Sequence, residues 1–288
     1  MTTRPTLVLG ATGKTGRRVL ERLTARELPV RAGSRSSDPA FDWNNRATWA
    51  PAVNGVRAVY VTYYPDLAVP GAADIVGDFA KLAVSNGARR LVLLSGRGEE
   101  GAVLGERAVQ DSGADWTVLR SSWFSQNFSE GLFVDQVLNG ELGLPVTTVR
   151  EPFVDADDLA DVAAAALTDD RHIGQLYELT GPRLLTFPEA VEEIARATGR
   201  QIRYVSLSPE QYARSLVEQN VPPEFVSLVQ YLFAEVLDGR NAHVADGVQR
   251  ALGRPPQDFT ESARRAAAAG VWGGLLRVHA NADSGASL

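Results

Sequence analysis

The chain has 288 residues and a net charge of −6, and this length suits one large α/β domain or such a domain with a smaller second lobe. The absence of cysteine excludes disulfides, thiolate metal ligands and cysteine nucleophiles, and the acidic balance argues against a surface that binds nucleic acid. No apolar run is long enough for a transmembrane helix and the amino-terminal residues lack a signal core, so we expect a cytoplasmic protein without membrane contacts.

Short apolar runs alternate with helical stretches through residues 1–120. The apolar runs predict strands at residues 6–9, 30–34, 58–63, 90–95 and 116–120, with a further strand that ends at Asp42. The periodic stretches predict helices at residues 15–24, 75–84 and 105–112. Strands that alternate with helices are typical of a parallel sheet covered on both faces, so the predicted fold is a Rossmann-type doubly wound α/β fold.

Beyond residue 121 the alternation becomes less regular. A helix is predicted at 157–167, strands at 175–179 and 202–207, and mainly helical structure from Pro209 onward. Thr186 and Glu189 have the spacing of a capping box, and Pro188 stands in the first turn that would follow it. We therefore expect a helix that begins there and ends at about Thr198.

Three glycines, Gly10, Gly13 and Gly16, stand where the first predicted strand turns into the first helix. The first permits a tight turn, the second lets the backbone approach a pyrophosphate, and the third allows close packing of helix and strand. A mononucleotide P-loop is excluded, because its first glycine would have to stand at Val8 inside the strand. The spacing therefore predicts a dinucleotide site, with contacts from the whole loop: Gly10, Thr12, Gly13, Lys14, Thr15 and Gly16.

The residues after the second predicted strand distinguish between the two nicotinamide cofactors. An NAD site usually carries Asp or Glu there, whereas this chain has Ser34 and Arg35 and no carboxylate before Asp38. Arg35 could bind a 2′-phosphate through a charge-assisted hydrogen bond, with Ser34 and Lys14 as further donors. The prediction is NADP(H), with Asp42 facing the adenine, and the alternative is that Arg35 is a solvated loop arginine.

Further polar side chains stand at the carboxyl ends of the predicted strands. Thr62 and Tyr63 end one strand and Ser95 ends the next, and doubly wound folds bind ligands in the crevice beside such ends. We assign Thr62 and Ser95 to the cofactor, and expect Tyr63 or Ser95 to donate a hydrogen bond if a carbonyl is reduced. The three histidines are too far apart in the sequence to predict a metal site.

Several of these segments occur together in one known family. They are GATGKTG at residues 10–16, LLS at 93–95, TVLR at 117–120, WFSQNF at 123–128 and FVDADD at 153–158. Together they resemble the NmrA-like branch of the atypical short-chain dehydrogenase/reductases. The segments FDW at 41–43 and GRPP at 253–256 are most similar to its ergot-alkaloid reductase group and the bacterial relatives of that group.

The resemblance covers most of the chain and implies an NADP(H)-binding Rossmann domain with a small carboxyl-terminal lobe over the nicotinamide. It also implies two different roles. Some members of this family reduce small molecules, including iminium or enal intermediates of alkaloid pathways. Others bind the cofactor without turnover and act as redox sensors for a protein partner.

The Tyr-x-x-x-Lys pair of ordinary members of the wider superfamily is absent. Lys14 and Lys81 are the only lysines of the sequence, and neither stands four residues after a tyrosine. Such a lysine lowers the tyrosine pKa, so that the phenol can protonate a developing alkoxide. Two interpretations stay open: an enzyme whose hydride acceptor needs no strong acid, such as an iminium carbon, or a protein that only binds the cofactor.

Aromatic residues near the strand ends and the expected lobe junction favour the enzyme slightly. We assign Tyr63, Ser95 and Trp123 to catalysis. The residues assigned to an apolar substrate pocket are Tyr64, Phe124, Asn127 and Phe128. The alternative for each aromatic side chain is ordinary packing in the core.

The predicted function is an NADPH-dependent reductase of a small, largely apolar metabolite in secondary metabolism, with a redox sensor that acts on a protein partner as the alternative. The predicted division is an NADP(H)-binding Rossmann domain at residues 1–150 and a remaining sheet element with a substrate lobe at 151–280. A disordered tail is expected at 281–288. The sequence leaves open whether the protein is a homodimer.

Overall fold

The computed structural model describes residues 4–273 of the chain. Its strands are β1 Thr6–Leu9, β2 Val30–Gly33, β3 Ala58–Val61, β4 Arg90–Gly96, β5 Asp115–Ser121, β6 Glu141–Leu144, β7 Arg150–Glu151, β8 Gln175–Leu179, β9 Leu185–Thr186 and β10 Arg203–Ser206. Its α-helices are α1 Lys14–Ala25, α2 Trp49–Val53, α3 Ala72–Ser85, α4 Glu100–Gln110, α5 Val134–Leu138, α6 Ala156–Ala166, α7 Phe187–Thr198, α8 Pro209–Glu218, α9 Pro223–Tyr231, α10 Gly247–Leu252 and α11 Phe259–Ala268. None of these helices is long and apolar enough to cross a membrane.

The described residues form two compact units, which we call unit 1 and unit 2. Unit 1 contains the residues up to Ser121, Ala156–Leu179 and Ala245–Pro255, and unit 2 contains Ser122–Asp155, Thr180–Val244 and the residues from Pro256 onward. This division differs from the predicted boundary at residue 150, because β8, α6 and α10 belong to unit 1 although they follow the first segment of unit 2. The predicted disordered tail at 281–288 lies outside the described residues.

Unit 1 is built on a six-stranded parallel sheet with the strand order β2-β1-β3-β4-β5-β8. Every residue of β1 and β3 is buried, as expected for strands of a parallel sheet that is covered on both faces. From β1 the chain passes to β2 on one side and then to β3 on the other, so the strand order reverses at β1. Ligands of such sheets bind beside the carboxyl ends of the strands at this reversal. The predicted Rossmann-type doubly wound fold is confirmed.

The predicted strand that ends at Asp42 is wrong, because this segment forms a loop. The backbone N–H of Asp42 donates to Thr48 Oγ1 at 3.0 Å, and its carbonyl oxygen accepts from Trp49 Nε1 at 2.9 Å. Side chains thus satisfy the backbone groups that a strand would pair with a neighbouring strand. Phe41 is buried and packs edge-on against Phe79, with ring centroids 5.4 Å apart. Asp42 consequently lies in a loop held against the core rather than at a strand end.

Unit 2 is mainly helical and has an aromatic core. Its helices are α5, α7, α8, α9 and α11, and its short strands pair as β6 with β10 and β7 with β9. The core contains Phe128, Phe133, Phe153, Phe187 and Phe259. Where these rings contact one another, their centroids lie 5.1–6.2 Å apart. Aromatic pairs at such separations stabilise a core beyond the area they bury, and here they fix α7 and α11 against the same cluster.

Helix α7 begins with the predicted capping box. The Glu189 N–H donates to Thr186 Oγ1 at 3.2 Å, and the Thr186 N–H donates to the Glu189 carboxylate at 2.7 Å. A proline occupies the first turn, and Gly199 ends the helix with φ 66°. These contacts satisfy two N–H groups that the helix cannot pair by itself.

The substitution Thr186→Ala is expected to lower the free energy of unfolding by about 1 kcal/mol, because the N–H of Glu189 loses its acceptor. Thr186→Ser keeps the hydroxyl and serves as the control, with an expected loss of less than about 0.5 kcal/mol. Urea unfolding followed by circular dichroism measures both values. Equal losses in the two variants would show that the threonine methyl group, and not the cap, is responsible.

Candidate functional site

The loop between β1 and α1 brings the helix against the strand with almost no space between them. A Cβ atom on Gly16 would lie 2.2 Å from the carbonyl oxygen of Gly10 and 2.7 Å from that of Leu9. Gly10 itself has φ +61°, and a Cβ there would meet the Thr62 methyl group at 2.8 Å. A side chain at either position would force the helix away from the strand, so only glycine permits this approach.

The N-terminus of α1 has the features of a phosphate-binding site. Gly13 precedes the helix in an extended conformation, and no acidic side chain stands in the first turn. The N–H groups of a first turn lack intrahelical acceptors and carry a partial positive charge that attracts anions. Thr12 is exposed beside this turn. Lys14 and Thr15 are each only 6% exposed, and the role of Lys14 as a second charge for the 2′-phosphate stays a prediction.

The turn after β2 lies beside this loop, since the Ala11 N–H donates to the Gly33 carbonyl at 3.3 Å. The turn is closed by serine hydroxyls: the Ser34 N–H donates to Ser37 Oγ at 2.9 Å, and Ser37 Oγ donates to the Ser34 carbonyl at 2.8 Å. Arg35 at the tip of the turn is exposed and forms no hydrogen bond or ion pair with any residue from 4 to 273. Its guanidinium group is therefore available to an anion beside the glycine loop.

Thr62, Tyr63 and Tyr64 follow β3 in the chain. The methyl group of Thr62 covers Gly10, and the Thr62 carbonyl accepts a hydrogen bond from Trp43 Nε1 at 3.0 Å. The Tyr63 ring packs against Trp43 with centroids 5.1 Å apart, and burial raises the pKa of its phenol. A raised pKa makes Tyr63 a weaker proton donor, which is opposite to the effect of the missing lysine. Tyr64 is 46% exposed.

Ser95, near the carboxyl end of β4, is turned into the interior of unit 1. Its hydroxyl donates to Glu106 Oε1 at 2.6 Å, and Arg120 binds the same carboxylate through hydrogen bonds of 2.8 and 2.6 Å. Ser95 and Glu106 are both buried. The Ser95 hydroxyl hydrogen is already donated to Glu106, so this geometry does not support the predicted hydrogen bond from Ser95 to a cofactor or substrate.

A second buried acid, Glu99, lies between β4 and α4. It occupies the N-cap position of α4, but its side chain does not cap the helix. Its carboxyl group lies over Gly96, where a Cβ atom would come within 2.1–2.3 Å of it, and it faces the carboxyl group of Asp66. Burial and the charge of Asp66 raise the pKa of Glu99 well above its ordinary value. This pair was not among the expected site residues, although acids that follow two adjacent buried strands within a few residues are a signal for it.

The remaining predicted residues belong to unit 2: Trp123, Phe124, Asn127 and Phe128. The structure corrects the assignment of Phe128 to a substrate pocket, because its ring is fully buried in the aromatic core of that unit. Trp123 is partly buried and packs on Phe133 and Phe233, with ring centroids at 6.3 and 5.3 Å. Phe124 and Asn127 are also partly buried.

The residues at the strand reversal of unit 1 fit a dinucleotide. The close approach at Gly16 and the helix N-terminus after Gly13 suit a pyrophosphate, and the exposed Arg35 suits a further phosphate group. Within residues 4–273 no group of three or more acidic or histidine side chains could hold a metal ion.

No family model matches the chain. It is similar to the uncharacterized oxidoreductase YesF of Bacillus subtilis (strain 168), with 32% identity over 289 residues that cover 93% of this chain and 96% of that protein. It is also similar to agroclavine dehydrogenase of Claviceps fusiformis, with 31% identity over 283 residues that cover 88% of this chain and 94% of that protein.

Two solved structures share the fold. The triphenylmethane reductase of Citrobacter sp., solved in complex with NADP(H), aligns with a TM-score of 0.75 and 19% identity over 91% of this chain and 99% of that one. NmrA, a negative transcriptional regulator, aligns with a TM-score of 0.66 and 16% identity over 91% and 95% of the two chains. At these identities the likeness concerns the fold alone.

Relatives above 30% identity that align over nearly the whole chain confirm the predicted family. Together with the NAD(P)H azoreductase of Xenophilus azovorans, which is 30% identical over 286 residues that cover 91% of this chain and 98% of that protein, they confirm the predicted class of NAD(P)H-dependent oxidoreductase and its nicotinamide cofactor. The chain belongs to the NmrA-like branch of the atypical short-chain dehydrogenase/reductases, with the ergot-alkaloid reductases and their bacterial relatives.

Proposed function

We propose that the chain is an NADPH-dependent reductase of a small, largely apolar metabolite that carries an electron-poor conjugated carbon, such as an iminium or an enone. The observation that carries this proposal is Arg35, an exposed guanidinium group beside the glycine loop that pairs with no residue between 4 and 273. NADPH supplies a hydride when it is bound, and the residues of the chain bind and orient the reactants.

Arg35 is proposed to bind the 2′-phosphate that distinguishes NADPH from NADH. It stands directly after β2, where NAD-dependent proteins of this fold carry an acid that binds the ribose hydroxyls. The serine hydroxyls that close the turn leave the arginine at its exposed tip. The N-terminus of α1 would hold the pyrophosphate, and Thr62 beside Gly10 borders the same loop.

Side chains at the ends of β3 and β4 support the proposed substrate class. Tyr64 presents a large exposed aromatic surface after β3, which suits contact with an apolar, planar molecule. The Ser95 hydroxyl is bound to Glu106, and burial raises the Tyr63 pKa, so neither side chain is prepared to protonate an alkoxide. An iminium carbon suits such a site, because hydride addition yields a neutral amine directly. The name of triphenylmethane reductase likewise denotes a bulky aromatic substrate for that structural neighbour.

The variant Arg35→Asp is expected to weaken NADPH binding by about tenfold to hundredfold, since a charge-assisted hydrogen bond contributes roughly 1.5–3 kcal/mol. NADH binding should change by less than about threefold, because NADH lacks the 2′-phosphate. Isothermal titration calorimetry with both nucleotides measures the two constants on one preparation.

Arg107→Asp is the matched control, because Arg107 is an exposed arginine of α4 in the same unit and carries the same change of charge. It should leave both constants unchanged. Equal losses for NADPH and NADH in Arg35→Asp would contradict the assignment of Arg35 to the 2′-phosphate.

Reduction itself is tested by following NADPH absorbance with a panel of cyclic iminium ions, enones and quinones. We expect turnover with at least the iminium ions, and a rate with NADH at least about tenfold lower at equal concentration. The predicted alternative, a redox sensor, would instead bind NADP⁺ and NADPH with different affinities and reduce no member of the panel. That result would overturn the proposed reductase.

A further inference from the structure

Asp66, which is partly buried, and Glu99, which is buried, form an acid pair that the packing of unit 1 does not explain. Two carboxyl groups that share a buried site repel one another when both are ionised, so such a pair retains a proton. Glu99 is 8% exposed, and its Oε2 has no hydrogen-bond partner among the residues that the structure describes. A capping contact with its own helix was available at the N-cap of α4, yet the side chain turns away from it.

The position of the pair connects it with the proposed chemistry. Asp66 follows β3 and Glu99 follows β4, and these two strands are neighbours, with β3 beside β1 and its glycine loop. The Glu99 carboxyl group lies directly on the backbone of Gly96, in the space that any side chain at that residue would fill. Burial raises the pKa of Asp66 as well, but Asp66 Oδ1 accepts the Ala68 N–H at 2.7 Å, which favours the ionised form of Asp66 over that of Glu99.

We propose that Glu99 is the proton donor of this reductase for substrates that need one, with Asp66 as the positioning residue that keeps it protonated. The inference rests on the proposed function and adds the proton donor that its conjugated carbonyl substrates require. The pair would take the place of the missing Tyr-x-x-x-Lys arrangement, because a carboxylic acid kept neutral at neutral pH can protonate a developing oxyanion.

The reaction balances with one hydride and one proton. In an enone, the hydride forms a C–H bond at the β-carbon, the C=C π electrons form the new double bond between the α-carbon and the carbonyl carbon, and the C=O π electrons move to the oxygen, which gives an enolate. Glu99 transfers its proton to the enolate oxygen and becomes a carboxylate, which regains a proton from water, and the enol tautomerises to the ketone. NADPH and the enone thus give NADP⁺ and the saturated ketone, with one proton taken from solvent. An iminium ion accepts the hydride alone and takes no proton from Glu99.

The charged groups that face Glu99 set the expected pH dependence. Asp66 faces it from the segment after β3, and Glu106 faces it from α4, where Arg120 of β5 neutralises Glu106. Arg97, two residues before Glu99, is paired with Glu178 of β8. Both carboxylates act to retain the Glu99 proton, so reduction of the enone should fall as pH rises through the raised pKa of Glu99.

The first arm of the test needs neither cofactor nor substrate. The folded-state pKa of Glu99 lies above its ordinary value of 4.5, so stability linked to this group is fully present below that value and is lost as pH rises through the folded pKa. The variant E99Q lacks this titration. Its midpoint of thermal unfolding should match that of the wild type at pH 4 and exceed it at pH 8. The control E100Q changes the exposed acid next in sequence and should follow the wild type at both pH values.

The second arm compares the rates with an enone and an iminium ion, with the iminium rate as the internal reference. E99Q should lower the ratio of enone to iminium kcat by about 100-fold or more, the usual contribution of a general acid, while E100Q leaves it unchanged. D66N should retain enone reduction at low pH but move its alkaline limb to lower pH, because removing the charge of Asp66 lowers the pKa of Glu99.

The outcomes separate the two proposals. If the wild type reduces neither substrate, the proposed function fails, and the proton donor fails with it. If the wild type reduces both substrates and E99Q keeps the same ratio, the reductase stands and Glu99 is not the donor. Identical pH dependence of thermal unfolding in E99Q and the wild type would also overturn the inference, since Glu99 would then hold no extra proton.

Discussion

The contact on which the site depends is the approach of α1 to β1, where a Cβ on Gly16 would lie 2.2 Å from the Gly10 carbonyl oxygen. This approach sets where the N-terminus of the helix points and therefore where a pyrophosphate can be held. The turn after β2 is joined to the same loop through Ala11 and Gly33, and Thr62 after β3 lies against Gly10. The carboxyl ends of β1, β2 and β3 thus meet at the glycine loop, whose position is set by the close contact of α1 with β1.

Features that depend on neighbours in the chain could be predicted from the sequence. The glycine loop and the capping box at Thr186 are fixed by residues within six positions of one another, and the structure has both where they were expected. The sequence could not exclude the predicted strand that ends at Asp42. The backbone of Asp42 is held in a loop by hydrogen bonds to the side chains of Thr48 and Trp49, and the strand pattern gives no sign of these contacts. Phe128 carries the same sequence signal as a pocket aromatic, and only the positions of distant rings show that it is core.

The buried acids of unit 1 could not be predicted from the sequence either, because their partners are distant in the chain. Glu106 becomes a partner of Ser95 only when Arg120 of the next strand is beside it, and Glu99 meets Asp66 across 33 positions of sequence. Burying a carboxylate is unfavourable unless it is paired or protonated, and the two groups solve this problem differently. Glu106 is neutralised by an arginine, whereas burial and the charge of Asp66 raise the pKa of Glu99. This difference is the reason why Glu99, and not Glu106, is the proposed proton donor.

The discontinuous path of unit 1 has a consequence for how the chain is made. The edge strand β8 and helix α10 reach unit 1 only after long excursions into unit 2, and Gly247 at the start of α10 would place a Cβ 2.2 Å from the Glu178 carbonyl oxygen of β8. On the ribosome, more than 50 further residues are therefore synthesised after β5 before its neighbour β8 is available, and during this time one edge of β5 is unpaired. An open edge strand readily pairs with other chains, so nascent molecules are most exposed to aggregation during this interval.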